Sequence, residues 1–494
     1  MSIRISKTKF CAGVQCLKRL YLLVHSPELG AQPDSADQAI IEQGREVGLL
    51  ARTLFPGGVA VSGEGGLDKA IRATRELVAN REVPAIFEGA FEHSGVLVRV
   101  DVLHRRKDGR WRLVEVKSAT AVKEEHVDDV GIQYRVLRRS GLDVASACLA
   151  HINRNYVYPG GDIDPRQFFR IRNLTQRVQR LQPKLKLQLR SEFRVLAMPT
   201  PPNIRIGPHC TDPVICEFVD HCNPPRPQDH IGFLPRLHAS TMEELDAMGV
   251  ESIMDIPDDF ELTEIQRRAA ACVKSGNPWY SPEVRDVLRG LAYPLYFADF
   301  ETVNRAIPPF ERMRPYDHLP FQWSVHVQRE PGAEPEHHEF LAADASDPRR
   351  EFISSLCAAL RESGSIVVYS SFESQRLREL SSWFPEFADR INAVQDRLFD
   401  LLPIVRRHVY HPAFGGSYSL KSVLPALVPE MTYEGMEVSD GKAAGLAWES
   451  LVRGGLNRDE RDTIRKALLD YCGQDTLGMI QLIGKLRSIS GLTC

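Results

Sequence analysis

Residues 95–118 read GVLVRVDVLHRRKDGRWRLVEVKS and decide the fold of the first part of the chain. Two runs rich in apolar and β-branched residues flank residues 107–109, and a three-residue loop with glycine in the left-handed position closes a β-hairpin. The register that this loop imposes places Asp101 opposite Glu115. Because side chains alternate between the faces of a strand, Lys117 lies on the same face as Glu115. We therefore predict that two carboxylates and one amine meet on one face of the hairpin.

The chemistry of these three groups is that of a divalent-metal site. Carboxylates hold Mg²⁺ or Mn²⁺, and a lysine steadies an attacking water or the charge that develops on a phosphate. Glu115 lies inside the apolar run RLVEVK, where a carboxylate without a partner would be costly. An exposed hairpin can also carry such residues without any function, and this alternative stays open.

A known nuclease superfamily has the same order of residues. Asp101, then Glu115-x-Lys117, followed by Gln133 and Tyr134 in a predicted helix, resembles the PD-(D/E)xK nucleases. The resemblance implies a restriction-endonuclease-like domain in which Asp101 and Glu115 bind Mg²⁺ or Mn²⁺. It also implies catalytic roles for Lys117 and Gln133.

The histidine that these nucleases carry in a Gly-x-x-x-His helix is missing. The matching stretch, EQGREVGLLA, has Gly44 followed by Gly48. Without the imidazole the metal has one ligand fewer, and Glu42 and Glu46 are the candidate replacements. We therefore expect that the first domain either uses a different ligand or has lost catalysis.

Four cysteines surround this domain in the sequence. Cys16 opens CLKRLYL, and HCTDPVICEFVDHC carries Cys210, Cys216 and Cys222. The arrangement resembles the RecB-like nucleases with an iron–sulfur cluster, which include the CRISPR-associated and AddB types. The resemblance implies that these four thiolates bind a 4Fe–4S cluster that joins the two ends of the domain.

Other readings of the cysteines remain. Four thiolates suit zinc equally in principle, and unligated core cysteines are a further alternative. Cys11 is the rival of Cys16, but only Cys16 lies in the C-x-K/R-R-x-Y-L context. No apolar signal segment starts the chain, so we expect a cytoplasmic protein whose ten cysteines do not form a disulfide framework.

A second set of acids occurs in the last third of the chain. In YPLYFADFET, residues 293–302, an apolar strand places Asp299 and Glu301 on one face. Glu373 follows the next long strand, at the start of a helix. A C-terminal helix places Tyr471 and Asp475 on its core face. A buried acid needs a partner, and a metal site shared with Asp299 and Glu301 supplies one.

This ordered set resembles the DEDD exonucleases of the RNase H-like fold, tyrosine subtype. The implied ligands of two ions, about 3.5–4 Å apart, are Asp299, Glu301, Glu373 and Asp475. The resemblance further implies that Tyr471 orients the attacking water. Glu373 stands where the family has aspartate, and Asp400 is a candidate support. The structural alternative is that these acids only stabilise the fold.

The predicted architecture is a multidomain α/β protein. Residues 1–225 form the PD-(D/E)xK-like domain with the iron–sulfur cluster, and residues 289–494 form the RNase H-like domain. Residues 226–288 read as a helical linker with a weak helix–hairpin–helix pattern around Gly249. Nearly the whole chain resembles a bacterial family that joins a RecB-like nuclease to a DEDD-like domain.

Residues 165–190 are basic and contain no acid. The basic residues are Arg166, Arg170, Arg172, Arg177, Arg180, Lys184, Lys186 and Arg190. Apolar residues recur at helical spacing in the first part, and Pro183 is predicted to break the helix. The basic face either meets a phosphate backbone or is simply solvated.

The overall composition bounds the functional classes. Lys and Arg number 62 against 65 Asp and Glu, which excludes binding of nucleic acid by bulk charge alone. No run approaches about 18 apolar residues, so no membrane span is expected. Together the patterns predict a Mg²⁺- or Mn²⁺-dependent nuclease, by resemblance an exonuclease, that acts on nucleic acid, with DNA favoured over RNA.

Two alternatives come from other functional classes. The first is a nucleic-acid-binding subunit of a repair or antiviral defence complex in which one or both nuclease sites are inactive; its partners would be the other proteins of that complex. The second is a zinc-containing scaffold for protein assembly.

Overall fold

The computed structural model describes residues 4–223, 226–227 and 229–492. The protein has a mixed α/β fold that divides into two compact units. The first contains the described residues up to 223 together with residues 305–317, and the second contains the rest. Within the described residues, no helix combines the length and the apolar character needed to cross a bilayer.

The first unit is built around one mixed sheet. Its strands are β1 (Ile5–Ser6), β2 (Val59–Ala60), β3 (Ala85–His93), β4 (Val96–Arg105), β5 (Trp111–Lys117), β6 (Val144–Ile152) and β7 (Phe169–Asn173). Its helices are α1 (Lys7–Gln15), α2 (Leu17–His25), α3 (Ser35–Arg52), α4 (Leu67–Ala79), α5 (Glu124–Arg139), α6 (Pro165–Phe168), α7 (Thr175–Leu196) and α8 (Val219–Cys222). The strand order is β2-β3-β4-β5-β6-β7, with β1 parallel to one end of β4.

The β4–β5 hairpin confirms the predicted turn and register. Gly109 has φ +80°, the left-handed conformation that the three-residue loop requires. Val102 pairs with Val114 and Arg105 with Trp111, and the same register sets Asp101 opposite Glu115. The apolar side chains of both strands enter the core, and α5 packs against the sheet. The hairpin therefore brings the predicted acids to one face.

The basic stretch differs from the prediction. Residues 165–173 form the short helix α6 and the strand β7, and α7 then runs through Pro183 without ending. Proline removes one backbone hydrogen bond from a helix, which costs roughly 3 kcal/mol. Burial of Val178 and Leu185, one on each side of the proline, offsets this loss. The prediction that Pro183 breaks the helix was wrong because tertiary packing outweighs the local penalty.

The second unit contains a five-stranded and a two-stranded sheet in its described part. Its strands are β8 (Trp279–Tyr280), β9 (Leu295–Asn304), β10 (His318–Gln328), β11 (Glu336–Leu341), β12 (Ile366–Val368), β13 (Leu398–Asp400) and β14 (Val409–Tyr410). Its helices are α9 (Ala239–Ala247), α10 (Glu264–Ser275), α11 (Val284–Arg289), α12 (Arg349–Leu360), α13 (Phe372–Trp383), α14 (Ala388–Gln395), α15 (Leu401–His408), α16 (Leu420–Leu427), α17 (Gly441–Arg453) and α18 (Arg458–Ile489). The larger sheet has the order β11-β10-β9-β12-β13, with β12 parallel to β9 and β13.

Two elements of this unit position its acids. β9 is the central strand of the larger sheet, and the 32-residue helix α18 packs against β9 and β10. A capping box between Asn457 and Glu460 starts α18 by satisfying its free backbone N–H groups. Buried residues such as Leu468 and Leu482 hold the helix on the core.

Residues 226–288 do not stand apart as a linker. In their described part, Ile231, Leu245 and Ile253 belong to one hydrophobic cluster with Leu424 and Met479 of the C-terminal helices. The segment is helical, as the sequence indicated, and its core is continuous with that of the second unit.

Candidate functional site

Three carboxylates of the second unit converge on one point. β9 supplies Asp299 and Glu301 two residues apart on one face, and α18 supplies Asp475. An oxygen from each lies within 4.8 Å of an oxygen of the other two, which makes this the one group of three or more potential ligands at single-ion distance within the described residues. Glu301 and Asp475 are only 6% and 8% exposed. We call these three residues the acidic cluster.

The negative charge of the acidic cluster is only partly offset by the described residues, because the charge of Lys421 lowers the pKa of Glu301 and Asp475 without outweighing burial. None of the three carboxylates forms an ion pair with lysine or arginine in the described part of the chain. Burial, together with the charge of Asp475, raises the pKa of Asp299 well above its usual range and that of Glu301 to about 8. Burial also raises the pKa of Asp475 to about 6. Such an arrangement favours a divalent cation, which would compensate the repulsion.

Two tyrosines and a lysine surround Asp475. The Tyr433 hydroxyl donates a hydrogen bond to Asp475 Oδ1, and Tyr471, one helical turn before Asp475, also hydrogen-bonds to it. Burial and the charge of Asp475 raise the pKa of both phenols, so both keep their protons at neutral pH. Lys421 Nζ lies 4.9 Å from the centre of the Tyr471 ring and 5.5 Å from that of Tyr433.

Glu373 lies near the acidic cluster but outside the group of three. It is in the first turn of α13, is 4% exposed, and its Oε2 has no hydrogen-bond partner among the described residues. Burial, and then the charges of Asp400 and Asp475, raises its pKa to about 8. Asp400 itself caps α15, because its Oδ1 accepts a hydrogen bond of 2.9 Å from the backbone N–H of Leu402. Glu373 is therefore a buried acid with free ligand capacity.

The first unit brings together the residues predicted from the hairpin. Lys117 Nζ lies 2.8 Å from Glu115 Oε1, and Gln133 Nε2 donates to Glu115 Oε2 at 2.6 Å. Asp129, which the sequence reasoning missed, joins them from α5: it accepts from Lys117 at 2.6 Å and from Gln133 at 2.8 Å. The available signal was its position four residues before Gln133, on the same helix face.

A second lysine neutralises this group. Lys7, the first residue of α1, places its Nζ 2.8 Å from Glu115 Oε1 and 3.5 Å from Asp129 Oδ1. Burial alone would raise the pKa of Glu115, but Lys7 and Lys117 together hold it well below its usual range. Burial and the charge of Glu115 raise the pKa of Asp101 to about 8, and its Oδ2 accepts a hydrogen bond of 2.7 Å from the Val116 N–H. The ammonium of Lys7 thus pairs with carboxylates that a metal ion would otherwise bind.

The predicted replacements for the missing histidine do not join this site. Glu46 pairs with Arg305 at 3.1 Å, and Glu42 is exposed and forms no ion pair within the described residues. At Gly48 and Gly44 an added Cβ would meet no heavy atom within 4 Å. The helix that carries them, α3, packs against β5. The position of the absent imidazole is therefore open space.

Cys16, Cys210, Cys216 and Cys222 line one small cavity of the first unit. Cys16 lies between α1 and α2, and the other three lie in and between the short helical turns 208–210 and 219–222. No three of these sulfur atoms lie within 4.8 Å of one another in the described structure. A single tetrahedral zinc ion, with Zn–S bonds of about 2.3 Å, needs sulfur atoms about 3.8 Å apart.

Cys11, the rival of Cys16, lies elsewhere. It packs against the hydrophobic core of the sheet, and the largest effects on its thiol pKa, which is raised, are burial and the charge of Asp129. It does not line the cavity that holds the other four thiols.

Sequence reasoning missed the partners of both sites. Tyr433, Lys421, Asp129 and Lys7 all contact or flank predicted acids, as does Cys472, whose Sγ lies 3.5 Å from Asp299 Oδ2. Tyr433, Lys421 and Lys7 carry no spacing pattern relative to those acids in the sequence. Cys472 does have a position signal, since it lies three residues before Asp475 on α18.

One stretch of the chain matches a known family model. A family model described as a domain of unknown function (DUF2779) matches residues 296–419, a span that contains Asp299, Glu301 and Glu373 but not Asp475. No curated protein matches the chain in a sequence comparison.

Proposed function

We propose that the second unit is a nuclease that depends on divalent metal, of the DEDD exonuclease type on an RNase H-like fold. The observation that carries this proposal is the acidic cluster of Asp299, Glu301 and Asp475, whose converging carboxylates form no ion pair within the described residues. Its substrate would be the phosphodiester backbone of DNA or RNA, with DNA favoured.

The proposed chemistry uses two ions, as in other two-metal nucleases. Asp299, Glu301 and Asp475 would hold the first ion and share a second with Glu373, whose Oε2 lacks a partner. Bound Mg²⁺ or Mn²⁺ would activate water and stabilise the leaving oxygen of the phosphodiester. Tyr433 and Tyr471 hold the Asp475 carboxylate, and the protonated Tyr471 hydroxyl would orient the attacking water.

For the first unit a different function is favoured. We propose a PD-(D/E)xK-like fold that binds nucleic acid without cutting it. The observation behind this is the pair of ammonium groups, Lys7 and Lys117, on Glu115 Oε1. With its charge compensated internally and no imidazole at Gly48, the site has little need of a cation.

The four-cysteine cavity is proposed to hold a structural 4Fe–4S cluster. A cluster of four irons spreads its thiolates more widely than a single zinc ion does, which suits sulfur atoms that share a cavity but lie apart. Binding energy at such a site is folding energy, so Cys16→Ala should lose iron and destabilise the first unit, whereas Cys148→Ala should not. Iron analysis and thermal melting test this; full iron content in the Cys16→Ala protein would reject the ligand set.

The test of the nuclease proposal is digestion of labelled single- and double-stranded DNA and RNA with and without Mn²⁺. We expect cleavage by the wild type only with metal. Asp470→Asn is the matched control for substitutions in the acidic cluster. Asp470 lies on α18, as Asp475 does, but it is exposed and pairs with Lys466. No cleavage of any of the four substrates would reject the proposed activity.

A further inference from the structure

A groove of about 540 Å³ in the first unit is lined by cationic side chains. Arg135 and Arg139 enter it from α5, and Lys186 and Arg190 enter it from α7. In each pair the two residues are four apart, which places them one helical turn, about 5.4 Å, apart on one side of the helix. The groove therefore has a row of two positive charges on each wall.

These charges have no ion-pair partners in the described part of the chain. None of the four forms an ion pair within the described residues, and no carboxylate lines the groove there. Two other cations of these helices are paired: Arg138 with Asp143 at 2.8 Å and Arg177 with Glu124 at 2.7 Å. The groove thus collects four cations of α5 and α7 that have no ion pair within the described residues.

Apolar side chains also line the groove. Val136, Leu189 and Phe193 line it, and Phe193 is partly exposed. Arg135 is half-buried, and burial and the charge of Arg139 lower its pKa, as expected for cations held close together. An aromatic ring between rows of cations suits an unpaired base whose phosphates lie along the walls.

We propose that this groove binds the backbone of single-stranded nucleic acid, with Phe193 as a stacking surface. The inference rests on the proposed role of the first unit in binding nucleic acid. A duplex would present its phosphates on a convex surface with the bases inside and would leave Phe193 unused. The groove takes only Lys186 and Arg190 from the basic stretch 165–190 and adds two arginines from α5.

The proposal predicts a defined change in the salt dependence of binding. Fluorescence anisotropy of a labelled oligothymidylate would be measured in EDTA, so that no cleavage occurs, from about 50 to 200 mM salt. In the full chain, the variant R135Q/R139Q/K186Q/R190Q should reduce the slope of log K against log salt by about 2.8, or about 0.7 for each lost contact. At the lowest salt its affinity should fall by about 10²–10³-fold.

A matched variant removes the same charge outside the groove. R166Q/R170Q/R172Q/R180Q changes four exposed arginines of the first unit that form no ion pair within the described residues. We expect it to keep the wild-type slope. An equal loss in both variants, or no loss in the groove variant, would overturn the proposal.

The stacking surface has its own test. Phe193→Leu, which keeps an apolar side chain against the core, should weaken binding of the single strand by about 5- to 100-fold and leave duplex binding unchanged. Thermal melting confirms that the variants are folded. Equal weakening for the duplex would overturn the single-strand assignment.

Failure of the groove and failure of the nuclease proposal can be told apart. A wild type that binds the oligonucleotide with the expected slope but never cleaves would reject the nuclease and keep the groove. A wild type that cleaves with Mn²⁺ while the groove variant binds normally would reject the groove alone. Absence of any salt-dependent binding by the wild type would also reject the groove.

Discussion

The two acidic sites of this protein differ in what balances their charge. In the first unit, Glu115 and Asp129 are held by the ammonium groups of Lys7 and Lys117 at 2.6–3.5 Å. In the second unit, the acidic cluster has hydrogen bonds from phenols but no ion pair within the described residues. Buried carboxylates therefore favour a bound cation in the second unit, whereas lysines already supply the positive charge in the first.

The pKa values express this difference. The lysines hold the pKa of Glu115 well below its usual range, whereas burial and the charge of Asp475 raise that of Glu301 to about 8. A carboxylate paired with an internal cation gains less from a metal than a carboxylate without a cation does. A cluster of carboxylates is thus insufficient to indicate a metal site. Whether lysines pair with those carboxylates must also be known.

The largest expected effect separates the two sites directly. Asp299→Ala should lower Mn²⁺-dependent cleavage by at least about 10³-fold, because several kcal/mol of transition-state stabilisation depend on the metal. Glu115→Ala should leave the rate of cleavage per folded molecule unchanged. Rates would be measured on labelled single strands, after melting curves establish folding. Loss of cleavage in Glu115→Ala alone would move the chemistry to the first unit.

The next largest effects on cleavage are expected from the two tyrosines that hydrogen-bond to Asp475. Tyr471→Phe removes a group that would orient the attacking water but no metal ligand, so cleavage should fall by roughly 10²–10⁴-fold with Mn²⁺ affinity retained. Tyr433→Phe removes only a hydrogen bond to Asp475 and should cost about tenfold. Rate and metal affinity measured on the same samples distinguish these roles. Weaker Mn²⁺ binding in Tyr471→Phe would make it a structural support.

If Lys7 and the absence of an imidazole prevent metal binding in the first unit, a metal site can be restored there. Lys7→Ala combined with Gly48→His removes one ammonium from Glu115 and supplies an imidazole where a side chain has room. We expect one additional Mn²⁺ per molecule by calorimetry. Lys7→Ala combined with Gly44→His is the control, because Gly44 lies one turn away and is equally open. An additional ion in both variants, or in neither, would contradict this role for position 48.

The smallest effect is on stability without metal. The pKa of Glu301 is raised in the folded state, so its protonated form is favoured and stability is lost as pH rises from about 5 through 8. The pKa of Glu115 is lowered, so its contribution is complete above about 4.5 and is lost only as pH falls below that value toward the lowered pKa. In EDTA, Glu301→Gln should reduce the fall in stability between pH 6 and 9 by on the order of 2 kcal/mol. Denaturant unfolding measures it; an unchanged pH dependence, equal to that of Asp470→Asn, would contradict the charge imbalance.

Much of the acidic framework was readable from the sequence because period and turn chemistry fix it. The loop at Gly109 sets the register of Asp101 and Glu115, the two-residue period pairs Asp299 with Glu301, and the helical period places Asp475 on the core face. Each follows from local geometry.

The residues that pair with or hydrogen-bond to these acids could not be predicted from the sequence in the same way. Lys7 reaches Glu115 from a helix 108 residues away in sequence, and Tyr433 reaches Asp475 from a loop. Neither Lys7 nor Tyr433 is related to its acid by helical or strand periodicity, because only tertiary packing brings these residues together. The helix through Pro183 was missed for a related reason, since burial of Val178 and Leu185 outweighs a local rule.

We propose that the second unit, rather than the first, binds divalent metal through its acidic cluster. Titration of Mn²⁺ by calorimetry into the wild type, Asp475→Asn and Glu115→Gln tests it most directly. We expect the wild type and Glu115→Gln to bind two ions each, and Asp475→Asn to lose binding or to bind much more weakly. Two ions bound to Asp475→Asn with wild-type affinity, or binding lost in Glu115→Gln instead, would contradict it.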